Sequence, residues 1–273
     1  MASRLGIVAG GGDLPRRLVE ACRRAGRPFF VIALEGQAEP DLTAGIPHLW
    51  SRLGAGGAML AALREVGATD IVLAGRVRRP SLAELRPDLR TAAFFAKVGA
   101  RALGDDGLLR AVGAELEREG FRLVGAHEIL RELLSCAGPF GALLPDAQAE
   151  ADIARGVEVA RLLGSLDVGQ AVVVQQGLVL GVEAIEGTDA LIERCAALRR
   201  SGPGGVLVKL RKPQQDDRVD LPTIGVTTVE QAGAAGLRGI AVQAGGTLTI
   251  DRDAVAAMAD RLGLFVVGIE VPT

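Results

Sequence analysis

The sequence predicts an α/β protein with two α/β domains: an N-terminal Rossmann-like parallel sheet and a C-terminal mixed α/β domain, with the ligand cleft between them. Short apolar runs alternate with helical patterns, which is typical of parallel strands covered by helices. A length of 273 residues favours two cores over one. A segment rich in glycine and proline, residues 135–146, divides the chain near its middle and is predicted to be the linker.

The predicted N-terminal domain covers residues 1–134 and begins with a buried strand, Leu5–Ala9. Three glycines follow at once, and Pro15 lies in the first turn of a predicted helix, where a missing N–H does no harm. The later elements predicted in this domain are strands at 29–34 and 70–75 and helices at 56–66, 108–119 and 127–134.

The predicted C-terminal domain covers residues 147–273 and repeats the alternation of helices and strands. Two apolar strands flank Gln175-Gln176-Gly177, which indicates a hairpin. The predicted elements are helices at 147–163, 188–198, 229–235 and 251–262 and strands at 171–174, 178–184, 205–210, 239–243, 247–250 and 265–269.

Composition excludes several classes of protein. A formal net charge of -2 disfavours a nucleic-acid binder, which would carry a basic excess. Three widely separated cysteines exclude a disulfide framework or a zinc ribbon and suit a reducing cytoplasm, and two histidines cannot build a His-rich dinuclear centre. We expect no secretion signal and no membrane span.

The segment from Lys209 to Gly225, KLRKPQQDDRVDLPTIG, carries the densest mixed charge. A buried strand would not tolerate such charges, so we predict a loop after the strand that ends near Lys209. Clustered carboxylates suit a divalent cation, and the adjacent cations suit phosphate oxygens. The alternative is a solvated loop with weak ion pairs.

The glycine triplet Gly10-Gly11-Gly12 lies between a strand and a helix, where backbone amides can cradle a phosphate. Glu35 follows at the end of the second strand, where a ribose-binding acid of a dehydrogenase would sit. Pro15 replaces the third glycine of that motif, however, and a tight βα turn explains the triplet equally well. A nicotinamide-linked oxidoreductase therefore remains an alternative.

A resemblance to a known family joins these features. The blocks LGIVAGGGDLP, VLAGRVRRP, GDDGLLR, GAHEIL, DVGQAVVVQQGLVLGVEAIEGTDALI and KPQQDDRVDLPTIG occur in an order that resembles the LpxI-type UDP-2,3-diacylglucosamine pyrophosphatases. The resemblance implies hydrolysis of UDP-2,3-diacylglucosamine to UMP and 2,3-diacylglucosamine 1-phosphate, with Mg²⁺, in lipid A biosynthesis. It also implies a cytoplasmic protein peripheral to the inner membrane. Gln243 departs from the glutamate expected of the family.

The resemblance and the charge pattern together nominate the site. Asp220 matches the acid most closely tied to catalysis in the family and is predicted to bind metal or activate water, with Lys209 as a second catalytic residue and Asp217 as a second metal ligand. The predicted substrate-binding residues are Gly10, Gly11, Gly12, Gly75, Arg76, Val77, Gln170, Gly187, Thr188, Asp189, Lys212, Gln215 and Thr223.

The expected partners follow from the same interpretation. The substrate is a lipid-linked nucleotide sugar, no nucleic acid is expected, and Phe94 and Phe95 are candidates for an apolar surface at the inner membrane. A homodimer is the expected assembly, because symmetric dimers are the commonest oligomers. A nucleotide-sugar-binding regulator without catalysis is a third hypothesis.

Overall fold

A computed structural model of the chain describes residues 3–78, 85–99 and 105–271. The fold divides into two compact units, Met1–Arg131 with Asp216–Asp220, and Glu132–Gln215 with Leu221–Thr273. Both are α/β, which confirms the predicted fold class of two α/β domains. The exact boundaries predicted at 1–134, 135–146 and 147–273 stay a prediction.

The N-terminal unit is built on a fully parallel sheet in the order β3-β2-β1-β4-β5. Its strands are β1 Leu5–Ala9, β2 Phe29–Leu34, β3 His48–Ser51, β4 Asp70–Ala74 and β5 Arg122–Leu123. Its helices are α1 Leu14–Arg24, α2 Gly56–Glu65, α3 Leu89–Val98, α4 Asp105–Arg118 and α5 Ala126–Ile129. Parallel register places the carboxyl ends of β1 and β4 side by side, with Ala9 opposite Ala74.

The C-terminal unit contains a mixed sheet in the order β6-β13-β11-β9-β7-β8 and a short parallel pair, β10 with β12. The strands are β6 Gly138–Pro139, β7 Ala171–Gln175, β8 Leu178–Val182, β9 Val206–Lys209, β10 Thr223–Ile224, β11 Gly239–Gln243, β12 Leu248–Thr249 and β13 Phe265–Ile269. The helices are α6 Ala147–Ser165, α7 Gly187–Ala196, α8 Val226–Ala234 and α9 Arg252–Leu262.

The predicted hairpin is present: β7 and β8 pair antiparallel, and both turn residues, Gln176 and Gly177, have positive φ. Strands β9, β11 and β13 are parallel, and β7 runs antiparallel to β9. The carboxyl ends of β8, β9, β11 and β13 and the start of β7 therefore share one edge of the sheet. Apolar side chains cover both faces, in one cluster that includes Leu191 and Val255 and another that includes Ile153 and Val208.

The sequence analysis did not predict β3, α3, β5, β6 or β10. Strand β6 lies inside the segment predicted as a linker and pairs antiparallel with β13. In the described part of the chain, every helix is too short or too polar to cross a bilayer.

Candidate functional site

The glycine turn of the N-terminal unit lies against the chain that leaves β4. Gly10 N–H donates to the Ala74 carbonyl at 2.8 Å, Gly11 N–H donates to the Arg76 carbonyl at 2.8 Å, and Arg76 N–H donates back to the Gly11 carbonyl at 2.9 Å. These bonds bring together Gly10, Gly11, Gly12, Gly75 and Arg76, five of the residues predicted to bind substrate. Val77 follows with 43% of its surface exposed.

The close backbone crossing itself requires glycine. A Cβ atom on Gly10 would lie 2.4 Å from the Arg76 carbonyl oxygen, and one on Gly75 would lie 2.6 Å from the Gly11 carbonyl oxygen. Gly75 also has a φ of +91°, which other residues adopt only with strain. The glycines thus have a packing cause, and the amides of Gly10 and Gly11 are already hydrogen-bonded within the unit.

The start of α1 is the part of the predicted phosphate cradle that those bonds do not use. Asp13 occupies the N-cap position without a side-chain capping bond. The Arg76 Nε atom lies 3.9 Å from the position that a Cβ atom on Gly12 would occupy. A helix N-terminus beside a guanidinium group suits an anion, since both present positive charge and N–H donors.

The acidic turn 216–220 belongs to the N-terminal unit, although it lies far along the chain. Val219 is 5% exposed and packs in a core cluster with Leu116 and Leu123. The amides of Val219 and Asp220 donate to the Asp216 carbonyl at 3.0 and 3.3 Å. Asp220 is thereby held on a tight turn, half-buried, next to a fully packed side chain.

The acids of this turn have different roles. Asp216 accepts hydrogen bonds from the backbone N–H, Nε and Nη2 of Arg218 at 3.0, 3.0 and 2.8 Å, and Arg218 Nη1 donates to Glu117 at 2.6 Å. The Arg218 hydrogen bonds hold the pKa of Asp216 below its usual value, against the opposing effect of burial. Asp216 is thus structural, and it is half-buried in this turn together with Asp217 and Asp220.

In the C-terminal unit, two predicted residues are joined through an acid that the sequence analysis did not single out. Glu183 follows β8 and is 5% exposed. Its Oε2 accepts the Gln170 N–H at 2.9 Å, and its Oε1 accepts the Thr188 hydroxyl at 2.6 Å. Gly187, with φ of +80°, begins α7, and Thr188 and Asp189 occupy the first turn of that helix.

The lysines lie at the same edge of the sheet. Lys209 ends β9, is 7% exposed, and donates from Nζ to the Thr223 carbonyl at 3.0 Å. Lys212 is 8% exposed; its Nζ contacts Asp167 Oδ1 at 2.6 Å, and its N–H donates to Gln215 Oε1 at 3.1 Å. The charges of these buried lysines are weakly screened by solvent, and that of Lys212 is paired with Asp167.

Gln243, the departure from the expected family pattern, has a structural role. Its Oε1 accepts the Arg211 N–H at 3.0 Å, so it ties the loop after β9 to the end of β11. An amide oxygen performs this as a carboxylate oxygen would.

The predicted residues thus fall into two sets. The N-terminal unit holds Gly10, Gly11, Gly12, Gly75, Arg76, Val77, Asp217 and Asp220, and the C-terminal unit holds Gln170, Gly187, Thr188, Asp189, Lys209, Lys212, Gln215 and Thr223. Sequence reasoning missed Glu183, Asp167 and Glu117. For Glu183 the available signal was an acid near the end of the apolar run predicted as the strand 178–184, within the block GVEAIEGTD.

The carboxylates of the acidic turn meet the requirements of Mg²⁺ only in part. Within residues 3–78, 85–99 and 105–271, no three His, Cys, Asp or Glu side chains are grouped closely enough to hold a metal ion by themselves. Mg²⁺ is usually bound by one or two carboxylates together with substrate phosphates and water. Two half-buried carboxylates on one turn, Asp217 and Asp220, fit that requirement.

Comparison with known proteins gives a consistent result over the whole chain. A family model described as the LpxI N-terminal domain matches residues 4–133, and one described as the LpxI C-terminal domain matches residues 136–267. The UDP-2,3-diacylglucosamine pyrophosphatase LpxI of Caulobacter vibrioides is 45% identical over 274 residues, covering 98% of this chain and 98% of that protein.

Among solved structures, the UDP-glucose 4-epimerase of Thermus thermophilus in complex with NAD aligns with a TM-score of 0.31 and 14% identity, over 98% of this chain and 86% of that chain. A similarity this weak carries no argument about fold or function.

Proposed function

The chain belongs to the LpxI family, and from that premise we propose that it hydrolyses the diphosphate of UDP-2,3-diacylglucosamine to UMP and 2,3-diacylglucosamine 1-phosphate in lipid A biosynthesis. The observation that carries this proposal is the 45% identity, over 98% of both chains, to a UDP-2,3-diacylglucosamine pyrophosphatase. Both family domains are matched, so the similarity covers both units of the fold.

Hydrolysis of a diphosphate requires a positioned water molecule and neutralised phosphate oxygens. We assign the positioning of the water molecule to Asp220, which acts either as a ligand of the metal or as the group that activates the water. The turn that holds it supports the assignment, because Val219 is packed in the core and Asp216 is engaged by Arg218. Asp217 is proposed as the second carboxylate.

Magnesium bound by these carboxylates and the substrate would neutralise charge on the phosphate oxygens. The residues of this chain would share that task. Arg76 and the start of α1 suit one set of phosphate oxygens. Lys209, which ends β9, and Lys212, in the loop that follows, are both buried and are proposed to contribute phosphate-binding charge.

We also propose peripheral contact with a membrane, because the substrate carries two acyl chains and each buried methylene contributes about 0.8 kcal/mol. Phe94 and Phe95 on α3 are half-buried and stack edge to face, with ring centroids 5.4 Å apart. Part of the aromatic surface of this pair therefore lies outside the core, which supports the pair as a candidate for membrane contact.

The deciding experiment incubates the purified protein with UDP-2,3-diacylglucosamine and measures UMP by mass spectrometry, with Mg²⁺ or with excess EDTA. We expect UMP release with Mg²⁺, loss with EDTA, and recovery when Mg²⁺ is restored. Asp220→Ala should abolish turnover with an unchanged circular dichroism spectrum. Asp41→Ala is the matched control, since that aspartate is 70% exposed in a surface ion pair of little energetic value.

The possible results separate the claims. No UMP from the wild-type protein, combined with tight NAD binding, would overturn the proposed reaction in favour of an oxidoreductase. Substrate binding without turnover would favour a regulator. Near-normal kcat in Asp220→Ala would leave the reaction intact and refute the residue assignment, whereas full activity in EDTA would refute only the metal.

A further inference from the structure

Glu183 is a buried acid with no part in the proposed hydrolysis. Its carboxylate joins two segments, since one oxygen accepts the Gln170 backbone N–H at 2.9 Å and the other accepts the Thr188 hydroxyl at 2.6 Å. Its own N–H donates to the Ala171 carbonyl at 2.8 Å. All four residues lie at the edge of the sheet where β7 starts and β8 ends.

The packing around Glu183 fixes its position. A Cβ atom on Gly169 would lie 2.0 Å from the Glu183 carbonyl oxygen, so the two backbones approach as closely as glycine permits. The hydrogen bond from Thr188, at 2.6 Å, lies at the short end of the range for O–H···O bonds. The carboxylate is therefore a fixed point to which the Thr188 side chain is tied.

This arrangement sets the polarity of the Thr188 hydroxyl. A hydroxyl group has one hydrogen to donate, and Glu183 Oε1 accepts it at 2.6 Å. The lone pairs of Thr188 Oγ1 are what remain for a ligand. A threonine in the first turn of a helix would donate to a phosphate oxygen if its hydrogen were available, and here it is not.

The side chain of Gln170 points to the same kind of ligand group. Its Oε1 atom is buried and has no hydrogen-bond donor among the residues that the structure describes. A buried amide oxygen left without a donor is destabilising, and a bound O–H or N–H group would satisfy it after a rotation of the side chain. Thr188 Oγ1 and Gln170 Oε1 are thus two acceptor atoms on residues that each donate a hydrogen bond to the Glu183 carboxylate.

We propose that Glu183 is a positioning residue that makes Thr188 and Gln170 acceptors for an O–H or N–H group of the substrate. This inference rests on the proposed function. The diphosphate linkage of the substrate carries only acceptor oxygens at neutral pH, so the part of this edge around Thr188 and Gln170 binds the nucleoside or the sugar. The donor is a ribose hydroxyl or uracil N–H in one half of the substrate, or a sugar hydroxyl or amide N–H in the other.

The test compares Thr188→Val, which removes the acceptor at nearly constant shape, with Thr188→Ser, which keeps it. Binding of UMP, of 2,3-diacylglucosamine 1-phosphate and of inorganic pyrophosphate is measured by calorimetry on each folded variant. We expect Thr188→Val to weaken binding of UMP or of the sugar phosphate about tenfold and to leave pyrophosphate unchanged. The half that is affected identifies the donor, and Thr188→Ser should bind as the wild type does.

Glu183→Gln tests the positioning role. A glutamine that still accepts from Gln170 must turn its NH₂ group toward Thr188, which reverses the polarity of the hydroxyl. We expect Glu183→Gln to weaken the same ligand as Thr188→Val does, and the double variant to be no weaker than Thr188→Val alone. If Glu183→Gln does not fold, the two Thr188 variants decide the polarity by themselves.

The contrary results are equally defined. Weakened pyrophosphate binding in Thr188→Val, or unchanged binding of all three ligands, would overturn the inference, as would additive effects in the double variant. In Thr188→Val, KM should rise and kcat should stay within a few-fold, because Thr188 is proposed to bind the substrate whereas Asp220 is proposed to act in the chemical step. A wild-type protein that releases no UMP would refute the proposed reaction instead, whatever the Thr188 variants bind.

Discussion

We predict that truncating Val219 to alanine displaces Asp220 and lowers kcat by more than the accompanying loss of fold stability explains. Val219 is 5% exposed within the core of the N-terminal unit. Losing two buried methyl groups costs about 1.6 kcal/mol in transfer free energy, and the cavity raises this to about 2–3 kcal/mol. The Arg218–Glu117 ion pair is more than 40% exposed on both sides and contributes about 1 kcal/mol or less. Val219 is therefore the main anchor of the turn.

When the packing energy of Val219 is lost, the turn is held less firmly and the carboxylate of Asp220, the next residue, moves. A displacement of about 1 Å in a reacting group can lower the rate about 10²-fold, so we expect kcat to fall at least about tenfold. The assay is the initial rate of UMP release at saturating substrate, with thermal unfolding measured in parallel.

Val31→Ala is the matched control, because Val31 is fully buried on β2 of the same unit and loses the same two methyl groups. It should lower Tm by a similar amount and keep kcat within about twofold. Equal kcat values for the two variants would refute the reasoning that Val219 positions Asp220.

Two further predictions concern the N-terminal unit. Gly75→Ala should destabilise the protein by at least about 1–3 kcal/mol in chemical denaturation, because its Cβ atom would lie 2.6 Å from the Gly11 carbonyl oxygen in a left-handed conformation. Gly67→Ala, with a positive φ but no atom within 4 Å of its Cβ position, should cost clearly less, and equal costs would contradict this explanation. Hydrogen bonds from Arg122 hold the pKa of the buried Asp70 below its usual value, so that acid stabilises the fold above about pH 4, and the contribution is lost as the pH falls through the lower, folded-state pKa. The difference in unfolding free energy between wild type and Asp70→Asn should shrink between pH 5 and pH 2.5, and a constant difference would count against this assignment.

The sequence predicted correctly those secondary-structure elements whose local residue pattern reflects how they are buried. A continuous apolar run bounded by glycine predicts a buried strand, as at β1, and the short segment Gln175-Gln176-Gly177 between apolar runs predicts the hairpin of β7 and β8. Strand β3, His48–Ser51, was missed because its four residues mix polar and apolar side chains. Its partner on β2 supplies the hydrogen bonds that the local pattern does not indicate.

The charged segment after β9 shows the same division within the candidate site. The sequence predicted a loop that brings carboxylates together with cations, and the family resemblance favoured Asp220 among its acids. The fold distinguishes them, since Arg218 engages Asp216 through three hydrogen bonds while Val219 fixes the turn beside Asp220. Which acid receives the arginine depends on the path of the backbone.

The sequence by itself determined the α/β class, the presence of two domains, and the family, because periodicity and motif order are properties of the chain. Only the tertiary structure decided that the glycines at Gly10 and Gly75 are required by a backbone crossing, and that Glu183 takes the hydrogen of Thr188. The crossing depends on atoms from segments distant along the chain meeting within about 3 Å, and the Glu183–Thr188 bond depends on how the short stretch between β8 and α7 turns back on itself. A one-dimensional pattern does not specify which segments approach that closely.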